Sequence, residues 1–178
     1  QDRETRTFRG GLYAGFQRIL PGEGARAHRH SQSALRLILE GDGAYTSVNG
    51  EKTIMRRGDF VTTPSWTFHD HGNDSDKPMV WLDGLDVQLV AAPDASFAES
   101  SDDDRQQLQR PVGDSVLRYG NGMAPVDWTP APNKASPLFC YPYARTRESL
   151  FGMQAGGQPD PCLGYKLRYI DPLTGGAP

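Results

Sequence analysis

The sequence predicts an all-β domain built as a sandwich or barrel of short strands. From residue 12 to residue 90, short apolar segments alternate with glycine-rich and asparagine-containing turns. Asn49-Gly50 is a strong hairpin signal, because both residues tolerate the positive φ of a type I′ turn. No convincing helical period interrupts this region. Many short strands at such spacing are typical of a β-sandwich or barrel.

The predicted strands are the apolar segments between those turns, namely residues 12–20, 34–40, 44–48, 53–55, 60–63 and 79–89. Beyond residue 91 the chain becomes polar and acidic, and then rich in proline, which predicts an extended connection. A short helix is predicted over residues 146–153. Thr146 is its expected N-cap, and Gly156-Gly157 its expected end.

Composition excludes several classes of function. The 178 residues carry 19 basic and 22 acidic side chains, a net charge of −3, so the basic surplus typical of nucleic-acid binding is absent. No apolar run approaches the roughly 18 residues of a membrane helix. Cys140 and Cys162 are expected to be free, buried thiols in a reducing compartment. These features predict a cytoplasmic protein, and a start at Gln1 without methionine suggests part of a longer one.

All four histidines fall into two clusters. His28 and His30 are two residues apart, so an extended strand directs both imidazoles to one face. His69 and His71 form the second cluster, just after Pro64. Neutral imidazole suits first-row metals, so three converging histidines would hold an ion and leave coordination positions open.

These residues carry a family resemblance. Gly22-x5-His28-x-His30 and Gly58-x5-Pro64-x4-His69-x3-Asn73 resemble the two sequence motifs of cupins, which are double-sheet jelly-roll barrels. Within that fold, residues 27–36 and 63–73 resemble gentisate 1,2-dioxygenase and its relatives that act on salicylate and 1-hydroxy-2-naphthoate. The resemblance implies an N-terminal cupin barrel over residues 1–91. Residues 92–178 would then be a proline-rich, partly helical linker toward a second cupin that is absent from this chain.

The resemblance also implies a cofactor and partners. Family members are bicupins, tetrameric at full length, whose N-terminal barrel holds one Fe(II), here through His28, His30 and His69. Most cupins add a glutamate ligand where this chain has Ala34 or Leu35. Three neutral ligands leave a divalent ion its full charge, which favours a chelating, anionic substrate. The expected partners are an aromatic hydroxy acid, O2 and further copies of the chain.

Arg36 is the expected clamp for the substrate carboxylate, because its planar guanidinium can make two contacts. The alternative is an outward, salt-bridged arginine with Leu35, Leu37 and Leu39 facing the core. The resemblance places Arg36 inside, and then requires another sheet or subunit to cover the leucines.

The remaining candidate site residues come from two strands and the second histidine cluster. Tyr13, Gly15 and Gln17 alternate on one strand face and match substrate-binding positions of the family, although ordinary strand residues would show the same pattern. In the relatives that accept salicylate, the resemblance implies tryptophan at the first of these positions. Tyr13 therefore favours gentisate as the substrate. His71 is expected to accept a proton from a substrate hydroxyl, with Asp83 as its partner; a surface histidine and an exposed acid are the alternatives. Asp70 and Asn73 are interpreted as turn formers.

The resemblance implies an Fe(II)-dependent dioxygenase. It would open gentisate with O2 between the carboxyl-bearing and hydroxyl-bearing carbons to give maleylpyruvate. The alternatives are a salicylate or 1-hydroxy-2-naphthoate dioxygenase and a non-catalytic cupin that binds or senses its ligand.

Overall fold

The computed structural model describes the backbone of residues 5–7, together with residues 11–122 and 135–178. Eleven strands and three helices lie in these ranges. In chain order the elements are β1 (Thr5–Thr7), β2 (Tyr13–Ile19), β3 (Gly24–His30), β4 (Ala34–Glu40), β5 (Asp42–Val48), β6 (Glu51–Arg56), β7 (Phe60–Thr63), β8 (His69–Asn73), β9 (Met79–Leu85), α1 (Val87–Ala91), β10 (Ala98–Ser100), α2 (Asp114–Tyr119), β11 (Cys140–Tyr141) and α3 (Tyr143–Gly156).

The strands form two antiparallel sheets, which confirms the predicted all-β, double-sheet jelly roll. The six-stranded sheet has the order β1-β2-β9-β4-β7-β11, and the five-stranded sheet has the order β10-β3-β8-β5-β6. An apolar core lies between them, because its buried members come from both sheets: Ile19, Ile38, Ala44, Met55, Val61, Met79, Trp81 and Cys140.

Five of the six predicted segments match a strand within two residues at each end, whereas β1, β3, β8, β10 and β11 have no predicted apolar segment. The predicted segments 34–40 and 60–63 coincide with β4 and β7. The hairpin prediction is also confirmed, since Asn49 and Gly50 have φ of 50° and 76° between β5 and β6. The segment 79–89 is too long, because β9 ends at Leu85. Asp86 then accepts a hydrogen bond from Ser33 N through Oδ1 at 2.9 Å, and the chain turns into α1.

Strand register aligns the residues that will line the site. In the six-stranded sheet, Gly15 on β2 pairs with Asp83 on β9, which pairs with Arg36 on β4. Paired residues project to the same face of a sheet. One step along the strands, Gln17, Trp81 and Ile38 form the next row on that face.

Residues after α1 contribute to both sheets. β10 pairs with β3, and β11 pairs with β7. The division of the chain at residue 91 into barrel and linker stays a prediction, and prolines 125, 130 and 132 of the predicted connection lie outside the described residues.

α3 begins three residues before the predicted helix. Asp59 Oδ1 accepts a hydrogen bond from Tyr143 N at 2.8 Å, and Pro142 is the N-cap. The prediction of Thr146 as the cap is therefore wrong, and its hydroxyl donates to Pro142 O at 3.4 Å. The predicted end is confirmed, because α3 stops at Gly156 with Gly157 as the C-cap.

Both cysteines are free, but only Cys140 is buried. The prediction of a buried Cys162 is wrong, because this residue lies in an exposed turn where its N–H donates to Asp160 Oδ1. Within the described ranges, no helix combines the length and apolar character needed to cross a membrane.

Candidate metal centre and ligand pocket

His28, His30 and His69 meet at one point between the two strands that carry them. His28 and His30 lie on β3, and His69 lies opposite His28 on β8. One nitrogen from each of the three rings lies within 4.8 Å of the others. The ring centroids are 4.3 Å apart for His28 and His69, 4.7 Å for His30 and His69, and 5.6 Å for His28 and His30. This cluster can hold a metal ion.

Backbone hydrogen bonds orient all three rings in the same way. The Nδ1 atoms of His28, His30 and His69 lie 2.7, 2.8 and 2.8 Å from the carbonyl oxygens of Arg26, Gln32 and Thr67. A carbonyl only accepts, so Nδ1 carries the proton and Nε2 keeps its lone pair. Such hydrogen bonds are the usual way in which a protein fixes the tautomer of a metal-binding histidine.

Burial favours the neutral form of two of the three histidines. Burial lowers the pKa of His69 to about 3, and it also lowers the pKa of His30. His69 Nε2 is buried without a hydrogen-bond partner. A bound cation would satisfy this lone pair, so the donor set fits a metal ion.

His71 lies on the same face of β8 as His69, with its ring centroid 5.5 Å away. It is buried, and its Nδ1 has no hydrogen-bond partner. Burial, reinforced by the charge of Arg36, holds the pKa of His71 well below its usual value. The imidazole is therefore neutral at pH 7 and can accept a proton from a bound ligand.

Arg36 lies inside the barrel, and the leucines lie outside. Its Nε is 3.0 Å from Asp83 Oδ1, an ion pair in which the two side chains are 6% and 12% exposed, although the angle is too bent for a hydrogen bond. Nη1 donates to Thr63 Oγ1 at 2.9 Å. The charge of Arg36 contributes to the lowered pKa values of His30, His69 and His71. A buried cation thus lies beside the histidine cluster.

The predicted partnership of Asp83 with His71 stays a prediction, and the contact described for Asp83 is with Arg36. Asp83 is buried and pairs with Arg36. The strand register explains this ion pair, because Arg36 and Asp83 are direct neighbours on β4 and β9.

Tyr13, Gly15 and Gln17 lie on β2 at the other side of Asp83. Gly15 is buried, and the other two are half-buried. A Cβ added to Gly15 would collide with the hydroxyl and ring of Tyr13, so the tyrosine occupies the space that the glycine leaves. Gln17 is in register with Trp81. Within the described part of the chain, no hydrogen bond joins Tyr13 or Gln17 to a histidine.

Several residues near the site were missed or misinterpreted. Thr63 was not singled out, although it shares its face of β7 with the core residue Val61. Trp81 is fully buried, and its Nε1 has no hydrogen-bond partner. The interpretation of Asp70 as a turn former is wrong, since it is 1% exposed within β8. The interpretation of Asn73 is confirmed, because this last residue of β8 accepts hydrogen bonds from Ser75 N and Ser75 Oγ and donates to Lys77 O across the following turn.

A groove lies away from the histidines. It has a volume of about 840 Å³ on the outer face of the six-stranded sheet, and its lining includes Leu12, Leu35, Leu82 and Leu85 but no histidine. Leu35 is 38% exposed there. The chemistry-bearing residues belong to the barrel interior instead.

Comparison with known proteins agrees with this geometry. The cupin domain family matches residues 15–85. Gentisate 1,2 dioxygenase 1 from Aquipseudomonas alcaligenes is 57% identical over 164 residues, which are 92% of this chain and 47% of that protein. Gentisate 1,2-dioxygenase from a Ralstonia species is 42% identical over 164 residues, 92% of this chain and 45% of that protein.

A solved structure shows the same similarity in three dimensions. It is a tryptophan-to-tyrosine mutant of salicylate 1,2-dioxygenase from Pseudoaminobacter salicylatoxidans in complex with gentisate. The TM-score is 0.81 at 36% identity, over 93% of this chain and 48% of that one. This chain therefore spans about half the length of the relatives it matches. It belongs to the cupins, and within them to the gentisate 1,2-dioxygenase family.

Proposed function

We propose that the protein to which this chain belongs is an Fe(II)-dependent ring-cleaving dioxygenase that opens gentisate with O2 to maleylpyruvate. The observation that carries the proposal is the cluster of three imidazoles, with no carboxylate among its members, beside a buried arginine. A cation held by neutral ligands keeps its charge, and the arginine adds another. Together they select a small acid that can chelate.

His28, His30 and His69 would hold the ion through Nε2, since their Nδ1 atoms are bound to backbone carbonyls. Bound Fe(II) supplies open coordination positions for the hydroxy acid and O2 and a redox route between them. Both atoms of O2 enter the product as the ring opens between the carboxyl-bearing and hydroxyl-bearing carbons.

Arg36 orients the acid. Asp83 lies beside the Nε atom of Arg36, and Thr63 accepts a hydrogen bond from its Nη1. These contacts hold the guanidinium in place and leave further N–H groups to bind a carboxylate. His71, neutral and buried, accepts the proton of the substrate hydroxyl. We expect Asp83 to act as the partner of His71 and also through Arg36, whose position and charge it maintains.

Tyr13, Gly15 and Gln17 form the wall on the β2 side. The small Gly15 admits the Tyr13 ring, which in turn limits the space for the aromatic substrate. The two polar side chains provide a hydroxyl and an amide for hydrogen bonds to substituents on that ring. Cytoplasmic location and assembly into a homo-oligomer stay predictions.

The test is an oxygen-electrode measurement on the protein loaded anaerobically with Fe(II). We expect O2 uptake on addition of gentisate, and a product whose mass exceeds that of gentisate by both oxygen atoms. Gentisate binding without O2 uptake would contradict the proposal and favour a non-catalytic binding or sensor module.

A salicylate or 1-hydroxy-2-naphthoate dioxygenase is the second candidate. The similarity to a salicylate 1,2-dioxygenase structure supports it. The same assay with each acid at equal concentration separates the candidates. Faster O2 uptake with salicylate or 1-hydroxy-2-naphthoate than with gentisate would identify that acid, instead of gentisate, as the preferred substrate.

A further inference from the structure

A strap, defined here as residues 101–115, crosses the outer face of the five-stranded sheet. Hydrogen bonds attach it to β3, β8, β5 and β6, in their order within that sheet, through the pairs Asp104–Ala27, Gln106–Asp70, Gln106–Ser47 and Ser115–Glu51. The first two of these strands carry all four histidines of the chain. The strap therefore supports the histidine strands from outside the barrel.

Asp70 is the attachment point on β8. It lies between His69 and His71, so its side chain points away from the cluster and toward the strap. It is nevertheless 1% exposed. Its Oδ2 accepts hydrogen bonds from Gln106 N at 3.0 Å and from Gln106 Nε2 at 3.2 Å. The carboxylate is thus desolvated by the strap and hydrogen-bonded by it.

Gln106 fixes β8 relative to the neighbouring strand. It is half-buried, whereas Arg105 and Gln107 on either side are exposed. Its Nε2 also donates to Ser47 O at 3.0 Å, and its Oε1 accepts from Gly50 N at 3.0 Å. Both ends of one amide are therefore used to join the strap, β5, β8 and the β5–β6 turn.

We propose that Asp70 and Gln106 are positioning residues for the histidine site, an inference that rests on the proposed function. Metal coordination tolerates displacements of about 0.2 Å, so β8 must be held at a fixed depth for His69 to reach the ion. Without the strap contact, Asp70 would be a buried carboxylate without donors, and β8 would shift outward to hydrate it. Each such shift moves His69 and His71, one residue away on either side.

The experiment compares Gln106→Leu with a matched variant at the far end of the strap, Ser115→Ala. Ser115 binds Glu51 on β6 through its N–H and hydroxyl, and touches neither histidine strand. Deuterium exchange of the metal-free chain should rise in the His69–Asn73 peptide for Gln106→Leu, and in the Glu51–Arg56 peptide for Ser115→Ala. Wild-type exchange at β8 in Gln106→Leu would overturn the inference.

Titration with Co(II) alone gives the second measurement. We expect binding about tenfold weaker in Gln106→Leu and unchanged in Ser115→Ala. Asp70→Asn keeps the size and one acceptor of the side chain, so it should show a smaller loss. Unchanged Co(II) affinity in Gln106→Leu would overturn the inference even if exchange at β8 rises. Failure of the wild-type chain to bind Co(II) would refute the proposed metal site, and β8 exchange would still decide whether the strap holds that strand.

Discussion

The two ends of the barrel interior are equally buried but opposite in polarity. One end is apolar and is centred on Ile38, Met55 and Met79, each at most 1% exposed. The other holds His69 and Arg36, which are 1% and 5% exposed. The ends share strands, since Arg36 and Ile38 are two residues apart on β4. Burial alone therefore does not separate core from site; the pairing of polar groups does.

The apolar end stabilises the fold through the removal of hydrocarbon from water, whereas the polar end must offset its own desolvation. It does so through the Arg36–Asp83 ion pair and the backbone hydrogen bonds of three histidines. Atoms that remain unpaired there, such as His69 Nε2 and His71 Nδ1, are those that a ligand would satisfy. Substitutions at the two ends should therefore separate stability from ligand binding.

The largest effect is expected at the polar end. His69→Ala removes one of three imidazole ligands and should weaken metal binding by at least about a hundredfold, while the barrel stays folded. Isothermal titration with Fe(II) or Co(II), beside a circular dichroism spectrum, checks both statements. Stoichiometric metal in the folded variant would contradict the assignment of His69.

At the apolar end, Ile38→Ala should lower the free energy of unfolding by about 2–5 kcal/mol, because a fully buried side chain leaves a cavity. Urea unfolding measures this loss. Metal affinity, measured where the variant is folded, should equal that of the wild type. A large fall in affinity would show that the two ends are coupled more strongly than the comparison implies.

A smaller effect is expected for Arg36→Lys, which keeps a cation for Asp83 but loses the planar fork. Substrate binding should weaken by about tenfold, or about 1.4 kcal/mol, seen as a raised KM for the acid. Leu35→Ser on the outer face is the matched control from the adjacent position. An unchanged KM in Arg36→Lys would argue against a two-contact clamp.

The remaining effect is a pH dependence of stability, spread over several pH units. The folded chain holds the pKa of His69 at about 3, below 6.5 when unfolded, so the unfolded state binds more protons between these values. His69 thus contributes stability that is complete above pH 6.5 and declines as pH falls toward 3, by at most about 1.4 kcal/mol per pH unit. Urea unfolding of the metal-free chain from pH 7 to pH 4 measures how steeply the free energy of unfolding depends on pH. This dependence should be shallower in His69→Ala. An equal dependence in the variant and the wild type would show that His69 is not its cause.

Sequence predicted the fold where local patterns determine it. Apolar segments between turns located β4 and β7, and the two-residue period placed His28 and His30 on one face. Polar strands are harder to predict from the sequence. The strand β8, for example, reads His-Asp-His-Gly-Asn and is buried throughout, so no apolar pattern indicates its burial.

The features that sequence did not provide depend on contacts between distant residues. Asp70 is buried because Gln106, 36 positions later, covers it, and α3 starts early because Asp59 lies 84 positions from Tyr143. The sequence leaves open which face of β4 the Arg36 side chain lies on, since leucines alternate with it and could equally form the core face. Its ion pair with Asp83 on the neighbouring strand accounts for its burial. No local pattern contains this information.

Metal coordination in the wild-type chain tests the central claim most directly. Anaerobic titration with Fe(II), followed by X-ray absorption at the iron edge, should show one ion per chain bound by three imidazole nitrogens. A chain that binds no iron, or binds it without imidazole ligation, would contradict the account.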